Sequence, residues 1–310
     1  VGCCCCCSCC CCCCCSSGRV PPFVMGFGTT MGIFGFNFLL VSFTLPAFLV
    51  AKVCLACTYF RPFQMGSLRQ QIVLVCTCLM WRTVMFCSCW VQTNVEGLSE
   101  FRSTLGASGR PAVIVANHGS FMDTILIVCF MPLAGIAKIK MLISSHLHKM
   151  PIIGTIAQGM GHMTVPFKAS GADGSFELDK EKMAERQREM ELHVASGGLA
   201  GWFPEGTMNR GDPREIGIFR AGGFVLAVHV DVEVWCVAFH GNTACWPRTA
   251  AVGGRPSKID VKICKLCDSS WAYVREGKVD LGDERAASMH LANGAHAEVQ
   301  KAITEIASRT

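Results

Sequence analysis

Pro111-Ala-Val-Ile-Val-Ala-Asn-His-Gly-Ser-Phe-Met-Asp123 is the stretch that decides the architecture. Its first six residues form a short apolar run bounded by Gly109 and Asn117. That length and composition fit a strand buried on both faces. Phe121 to Phe130 follows at once and has the length of a helix. A buried strand opening directly into a helix is an α/β arrangement, and such folds bind ligands at the carboxyl ends of their strands. Downstream the alternation continues. His162–Phe167, Leu199–Phe203 and Val234–Phe239 read as strands. Phe176–Ser196 reads as an amphipathic helix, with Phe176, Met183 and Met190 on one stripe and Gly197-Gly198 as its stop. Gly222–Val230 reads as a short helix, and Asp283–Arg309 as an Ala-rich helical region that Gly294 is placed to break. The expected fold class is α/β, a sheet flanked by helices, preceded by an N-terminal membrane-associated helical segment.

Composition narrows the function classes. The chain has 310 residues, of which 51% are hydrophobic and 16% charged, and a mean hydropathy of +0.38. Intrinsic disorder needs the opposite balance. The net charge of +5 forms no basic tract, which argues against nucleic acid as a partner. Of the 23 Cys, 12 lie between Cys3 and Cys15, broken only by Ser8. Neighbouring thiols have no geometric choice of partner, so residues 1–19 read as low-complexity sequence and not as a disulfide framework. Cys54/Cys57 and Cys264/Cys267 have C-x-x-C spacing without a matching second pair, and reduced thiols are the expected state.

The charge is unevenly placed. Before Glu96 there are five basic residues (Arg19, Lys52, Arg61, Arg69 and Arg82) and no acidic one. Val20 to Ala51 carries no charge over 32 residues, more than the ~20 needed to cross a hydrocarbon core. Pro46 is expected to kink it. A second apolar stretch, Gln70–Val95, has Arg82 at its centre with Trp81 and Trp90 beside it, which predicts a helix that spans poorly or lies in the headgroup layer. Arg61-Pro62 and Gly66 mark the intervening turn. The expected organisation is therefore 1–19 low-complexity, 20–95 a membrane-inserted helical segment, and 96–310 an α/β domain, with a lipid bilayer as partner.

Two clusters carry candidate chemistry. In the first, His118 and Asp123 are five residues apart, about 140° on a continuous helix. They meet only if His118 precedes the helix and Asp123 reaches back from its first turn. Asp123 then fixes the imidazole tautomer and leaves the other ring nitrogen as a general base. Ser120-x-x-Asp123 also matches a helix-capping pattern, and from this cluster alone both readings stand. The second cluster, Phe203-Pro-Glu-Gly-Thr-Met-Asn-Arg210, again follows a strand. Alone it is an ordinary turn.

Together the clusters say more. Asn117-His-x-Ser-x-x-Asp123, followed some eighty residues later by Phe203-Pro-Glu-Gly-Thr207, resembles the glycerolipid acyltransferase family, the group of 1-acyl-sn-glycerol-3-phosphate acyltransferases. Lys140–Gly154, Gly161–Lys168 and Phe219-Arg-Ala-Gly222 sit where further family segments belong, so the resemblance covers about Pro111 to Gly241. It implies acyl transfer from acyl-CoA, a co-substrate with no bound cofactor or metal, to the free hydroxyl of a lysophospholipid acceptor such as lysophosphatidic acid. His118 would be the base and Asp123 its orienting partner. Asn117, Ser120, Glu205, Gly206, Thr207 and Arg210 would help hold the acceptor, and Lys168 would supply a cation. It also implies the endoplasmic reticulum membrane in a eukaryote, or the inner membrane in a bacterium, with the site facing the cytosol.

The departures concern the acceptor. The family's second motif ends in Arg, where this chain offers Lys168 one residue later; Lys lacks the bidentate fork. Met208 stands where the third motif often has Arg, with Arg210 two residues on, and the last strand has Trp235 and Ala238 in place of Pro. An acceptor other than lysophosphatidic acid is the first alternative. A membrane lipid hydrolase with Ser120 as nucleophile is the second, disfavoured because Gly-x-Ser-x-Gly is missing.

Overall fold

The computed structural model describes residues 22–57, 67–105, 109–166 and 179–309. The Cys run, the Arg61–Gly66 turn, Phe167, Lys168 and Phe176 lie outside them. Seven strands form one sheet: β1 (Val91–Glu96), β2 (Ala112–Ala116), β3 (Ile139–Ser144), β4 (Met163–Val165), β5 (Leu199–Trp202), β6 (Glu233–His240) and β7 (Ser257–Cys267). The helices are α1 (Pro22–Ala56), α2 (Ser67–Cys87), α3 (Leu98–Thr104), α4 (Met122–Phe130), α5 (Leu133–Ile136), α6 (Ser145–His148), α7 (Pro151–Gly159), α8 (Lys180–Ala195), α9 (Val225–His229), α10 (Asn242–Cys245), α11 (Ser270–Glu276) and α12 (Glu284–Ala307).

The strand order is β1-β7-β6-β2-β5-β3-β4. Every pairing is parallel except β6 with β7. β2 is central and buried along its whole length. Because successive side chains point to opposite faces, Ala112, Ile114 and Ala116 join one core with α1, α2 and α4. Val113 and Val115 join the other, with α8, α9 and α12. The uninterrupted apolar reading of Ala112–Ala116 follows from this double covering.

The strands expected at Pro111–Ala116, Leu199–Phe203 and Val234–Phe239 form as Ala112–Ala116, Leu199–Trp202 and Glu233–His240, and the helices expected at Phe121–Phe130 and Phe176–Ser196 are seen as Met122–Phe130 and Lys180–Ala195. The sheet also reaches back to Val91, ahead of the boundary expected at residue 96, because β1 pairs in register with β7. The expected break at Gly294 does not occur, since α12 is continuous. Gly294 is there for space: a Cβ would lie 2.1 Å from the Tyr273 hydroxyl.

Helices α1 and α2 are long and apolar enough to cross a membrane, by length and composition. Met31, Phe34, Phe38, Val41, Leu45, Leu49 and Val53 form an exposed stripe along α1, while Phe36, Ala47 and Ala51 are buried against the domain. Gly32 abuts Pro256 and Trp90, and Ala51 abuts Gly159 of α7. These contacts are about 28 Å apart along a helix, so α1 lies along the domain. Helix α2 resolves the expected cost of a charged Arg82 by turning it inward, where its guanidinium donates to the Met131 carbonyl just past α4. Arg102 donates to the Phe130 carbonyl at 3.1 Å, so two cations cap the negative end of α4.

Candidate active site

Strands β6, β2 and β5 are adjacent and parallel. Their carboxyl ends therefore deliver three loops to one place: β2 delivers His118, β5 delivers Glu205 and β6 delivers Asn242. Asn117 fixes the seam between β2 and β6. Its Nδ2 donates to the Phe239 carbonyl at 3.0 Å and its Oδ1 accepts the Phe239 N–H at 2.8 Å. Both ends of this buried amide are used by backbone, so Asn117 serves as a strand clamp.

The chain turns at Gly119 and Ser120 before α4 begins, and Asp123 in the first turn reaches back. Its Oδ2 accepts from His118 Nδ1 at 3.0 Å, from the Gly119 N–H at 2.8 Å and from the Ser120 N–H at 2.9 Å. Its Oδ1 accepts from Asn242 Nδ2. The carboxylate is 0% exposed and the imidazole 18% exposed. Four donors on a fully buried carboxylate satisfy its charge. The two readings of Ser120-x-x-Asp123 thus coincide, since one oxygen closes the turn and orients the imidazole. A carboxylate only accepts, so Nδ1 carries the ring proton and Nε2 presents a lone pair. The ring lies flat on Phe203, with centroids 4.1 Å apart and planes 15° apart.

Ser120 Oγ accepts the Met122 N–H at 3.1 Å and donates to the Trp246 carbonyl at 2.7 Å. It is buried, with its hydroxyl engaged by two backbone groups. Glu205 is likewise turned inward. One oxygen accepts the His118 N–H at 2.7 Å and the other the Gly217 N–H at 3.0 Å. Burial pushes its carboxyl above the ordinary range, against the opposing pull of those two N–H groups. It holds the His118 backbone. Gly206, Thr207 and Arg210 are exposed on the turn beyond it. Arg220 joins them: its guanidinium lies within 3.4 Å of where a Cβ on Gly206 would stand.

Sequence reasoning gave no role to Asn209, Asn242 or Trp246. Asn209 donates its N–H to the His118 carbonyl at 2.6 Å. Asn242 and Trp246 lie more than a hundred residues from Asp123 and Ser120, which they bond, with no local pattern to mark them. Among the described residues no cluster of His, Cys, Asp or Glu is arranged to hold a metal ion.

The fold is an α/β domain that places a hydrogen-bonded His–Asp pair at the carboxyl ends of three parallel strands. The acyltransferase family model matches residues 92–240, so this chain carries an acyltransferase-family domain. The chloroplastic 1-acyl-sn-glycerol-3-phosphate acyltransferase LPAT1 of Arabidopsis thaliana is 33% identical over 155 residues, which cover 50% of this chain and 37% of that protein. The chloroplastic enzyme BAT2 of Brassica napus is 30% identical over 156 residues, covering 50% of this chain and 39% of that protein. The matched part thus spans about two-fifths of each relative. The crystal structure of the 1-acyl-sn-glycerophosphate acyltransferase PlsC from Thermotoga maritima shares the fold, with a TM-score of 0.61 over 92% of this chain and 99% of that one, at 17% identity.

Proposed function

We propose that this chain transfers a fatty acyl group from a thioester donor, acyl-CoA, to the free hydroxyl of lysophosphatidic acid, giving phosphatidic acid. The observation that carries the proposal is the His118–Asp123 pair, with Nδ1 bonded at 3.0 Å and Nε2 left to accept a proton. His118 Nε2 takes the acceptor hydroxyl's proton as the oxygen attacks the thioester carbonyl. The carbon–sulfur bond breaks, and the imidazolium returns its proton to the departing thiolate. Asp123 stabilises the transient imidazolium. A base so placed contributes about 10²–10⁴-fold. No acyl-enzyme is required.

The exposed Arg210 and Arg220, with Lys168, are the proposed cations for the acceptor phosphate. Met208 in the place of an Arg favours a second acceptor, another lysophospholipid or glycerol phosphate. The exposed apolar stripe of α1 supports a membrane surface as the working site, from which the acyl chains enter. The two curated relatives are chloroplastic, so the expectation of the endoplasmic reticulum gains no support from them.

The test is transfer from radiolabelled oleoyl-CoA to lysophosphatidic acid by purified protein in detergent or vesicles, wild type beside His118→Ala. Labelled phosphatidic acid from the wild type alone supports reaction and base. Transfer only to another lysophospholipid or to glycerol phosphate keeps the mechanism and moves the acceptor. Equal rates in the two proteins overturn the role of His118.

A further inference from the structure

Asp123 has two oxygens, and only one faces the imidazole. The other is held by Asn242, a residue two positions past the end of the family match. Asn242 is the first residue of α10 and is 1% exposed. Its Nδ2 donates to Asp123 Oδ1, and its carbonyl accepts the Trp246 N–H at 3.0 Å. The Trp246 carbonyl in turn accepts Ser120 Oγ at 2.7 Å. The five residues from Asn242 to Trp246 therefore grip both ends of the Ser120–Asp123 turn. The packing is close: a Cβ on Gly119 would lie 3.0 Å from the Thr243 methyl. Strand β6, pinned to β2 by Asn117, sets where this grip begins.

We infer that Asn242 is a positioning residue for the catalytic pair: by occupying Asp123 Oδ1 it holds the carboxylate in the one rotation that presents Oδ2 to His118 Nδ1. The inference rests on the function proposed above. The physical argument is that a carboxylate's terminal torsion is soft, and the three donors on Oδ2 leave it free to pivot about that oxygen. A buried oxygen without a donor is also unfavourable. Asn242 removes both problems with one N–H. A merely structural residue at this place would need bulk alone.

The test separates bulk from the donor. Asn242→Leu keeps the volume and removes the N–H. Asn242→Asp places a second carboxyl against Asp123, and two carboxyls in one buried site share a proton, which restores a donor to Oδ1. Each variant is measured as the full chain in detergent, with its thermal midpoint, its kcat and KM for transfer from oleoyl-CoA to lysophosphatidic acid, and the Nδ1 proton resonance of His118 in protein labelled with ¹⁵N-histidine. The expected result is that Asn242→Leu lowers kcat about 10- to 100-fold, leaves KM within about twofold and broadens the Nδ1 proton by exchange. Asn242→Asp restores the resonance and most of kcat. If Asn242→Leu is too unstable to purify, Asn242→Val, which keeps most of the volume and removes the N–H, carries the same comparison. An unchanged Nδ1 resonance and kcat in Asn242→Leu overturn the inference. So do equal losses of kcat in Asn242→Leu and Asn242→Asp, because returning a donor to Oδ1 would then fail to restore the pair. No transfer by the wild type, with a resonance that still responds to Asn242→Leu, would overturn the proposed function and leave the role of Asn242 standing.

Discussion

The side chain of Glu205 is bonded to the backbone of His118, with Oε1 accepting the His118 N–H at 2.7 Å, while Oε2 accepts the Gly217 N–H at 3.0 Å. The Glu-Gly-Thr turn thus acts on the proposed base through the main chain. Glu205→Gln replaces one acceptor oxygen with an NH₂ group that faces an N–H donor. The expected outcome is a loss of about 1–3 kcal/mol in stability and, through displacement of the His118 backbone, roughly a 10- to 100-fold fall in kcat. A Glu205→Gln change made on top of His118→Ala is expected to cost no further activity, because the two act as one unit. Steady-state kinetics and thermal unfolding of the single and double variants check this.

Asp123→Asn tests the same carboxylate at its other end. An Asn oxygen can still take the Gly119 and Ser120 N–H groups, but its NH₂ then meets the Asn242 NH₂, and the imidazolium loses its counter-charge. We expect kcat to drop by about 10²–10⁴-fold, with about 1–3 kcal/mol of destabilisation. Pre-mixed wild-type protein diluted into the variant provides the activity floor for the radiolabel assay. An Asp123→Asn protein with wild-type kcat would contradict the proposed orienting role.

Parts of this site were legible in the sequence and parts were not, for physical reasons. Ala112–Ala116 is buried on both faces and reads as an unbroken apolar run. The turn that follows it is local, so His118, Ser120 and Asp123 were found together. Strand β7 carried a usable signal in the alternation of Ile259, Val261 and Ile263 with Asp260 and Lys262, buried toward the core at the apolar positions. Strand β1 was masked because it directly follows the apolar helix α2 and is half exposed at the sheet edge. The roles of Asn117, Ser120 and Glu205 were read as acceptor contacts. In the structure Asn117 and Ser120 bond backbone groups of Phe239 on β6 and of Trp246, more than a hundred residues away, which only strand order brings together, while Glu205 bonds the N–H groups of Gly217 and His118.

His229 gives the fold a pH dependence away from the site. Its Nδ1 lies 2.7 Å from Glu191 of α8, and its Nε2 lies 2.8 Å from Glu284 of α12. Burial disfavours the imidazolium, but the hydrogen bonds and charges of Glu191 and Glu284 outweigh it and raise the pKa above the ordinary histidine value. A group whose folded pKa is raised stabilises fully below the unfolded value and loses that contribution as pH rises through the folded one. The ring is 40% exposed, so solvent screening limits the effect to about 0.5 kcal/mol. His229→Gln is expected to be less stable than wild type at pH 5.5 and to converge with it by pH 8.5. Thermal midpoints across that range check the sign; a gap that widens with pH would contradict it.

The last prediction concerns how α1 reaches the site. Asn37, in the middle of α1, donates to the Gly253 carbonyl at 2.9 Å, and Trp90 Nε1 donates to the Gly254 carbonyl at 2.9 Å. Gly254 has φ +91°, and a Cβ there would stand 2.1 Å from the Phe36 Cβ. Its N–H bonds the Cys245 carbonyl at 3.0 Å, one residue before Trp246. Gly254→Ala combines backbone strain with a clash against α1, so a destabilisation of roughly 2–5 kcal/mol is expected. Asn37→Leu is milder, at about 1–3 kcal/mol, because it strands the Gly253 carbonyl without a clash. Both are expected to loosen the strap from Trp246 to Pro256, seen as faster proteolysis within it and faster amide exchange at Gly254. Because the same strap ends on the carbonyl that holds Ser120, kcat should fall with it while KM for the thioester stays near the wild-type value. A strap that loosens without any change in kcat would show that α10 keeps its grip on Ser120 and Asp123 unaided by α1.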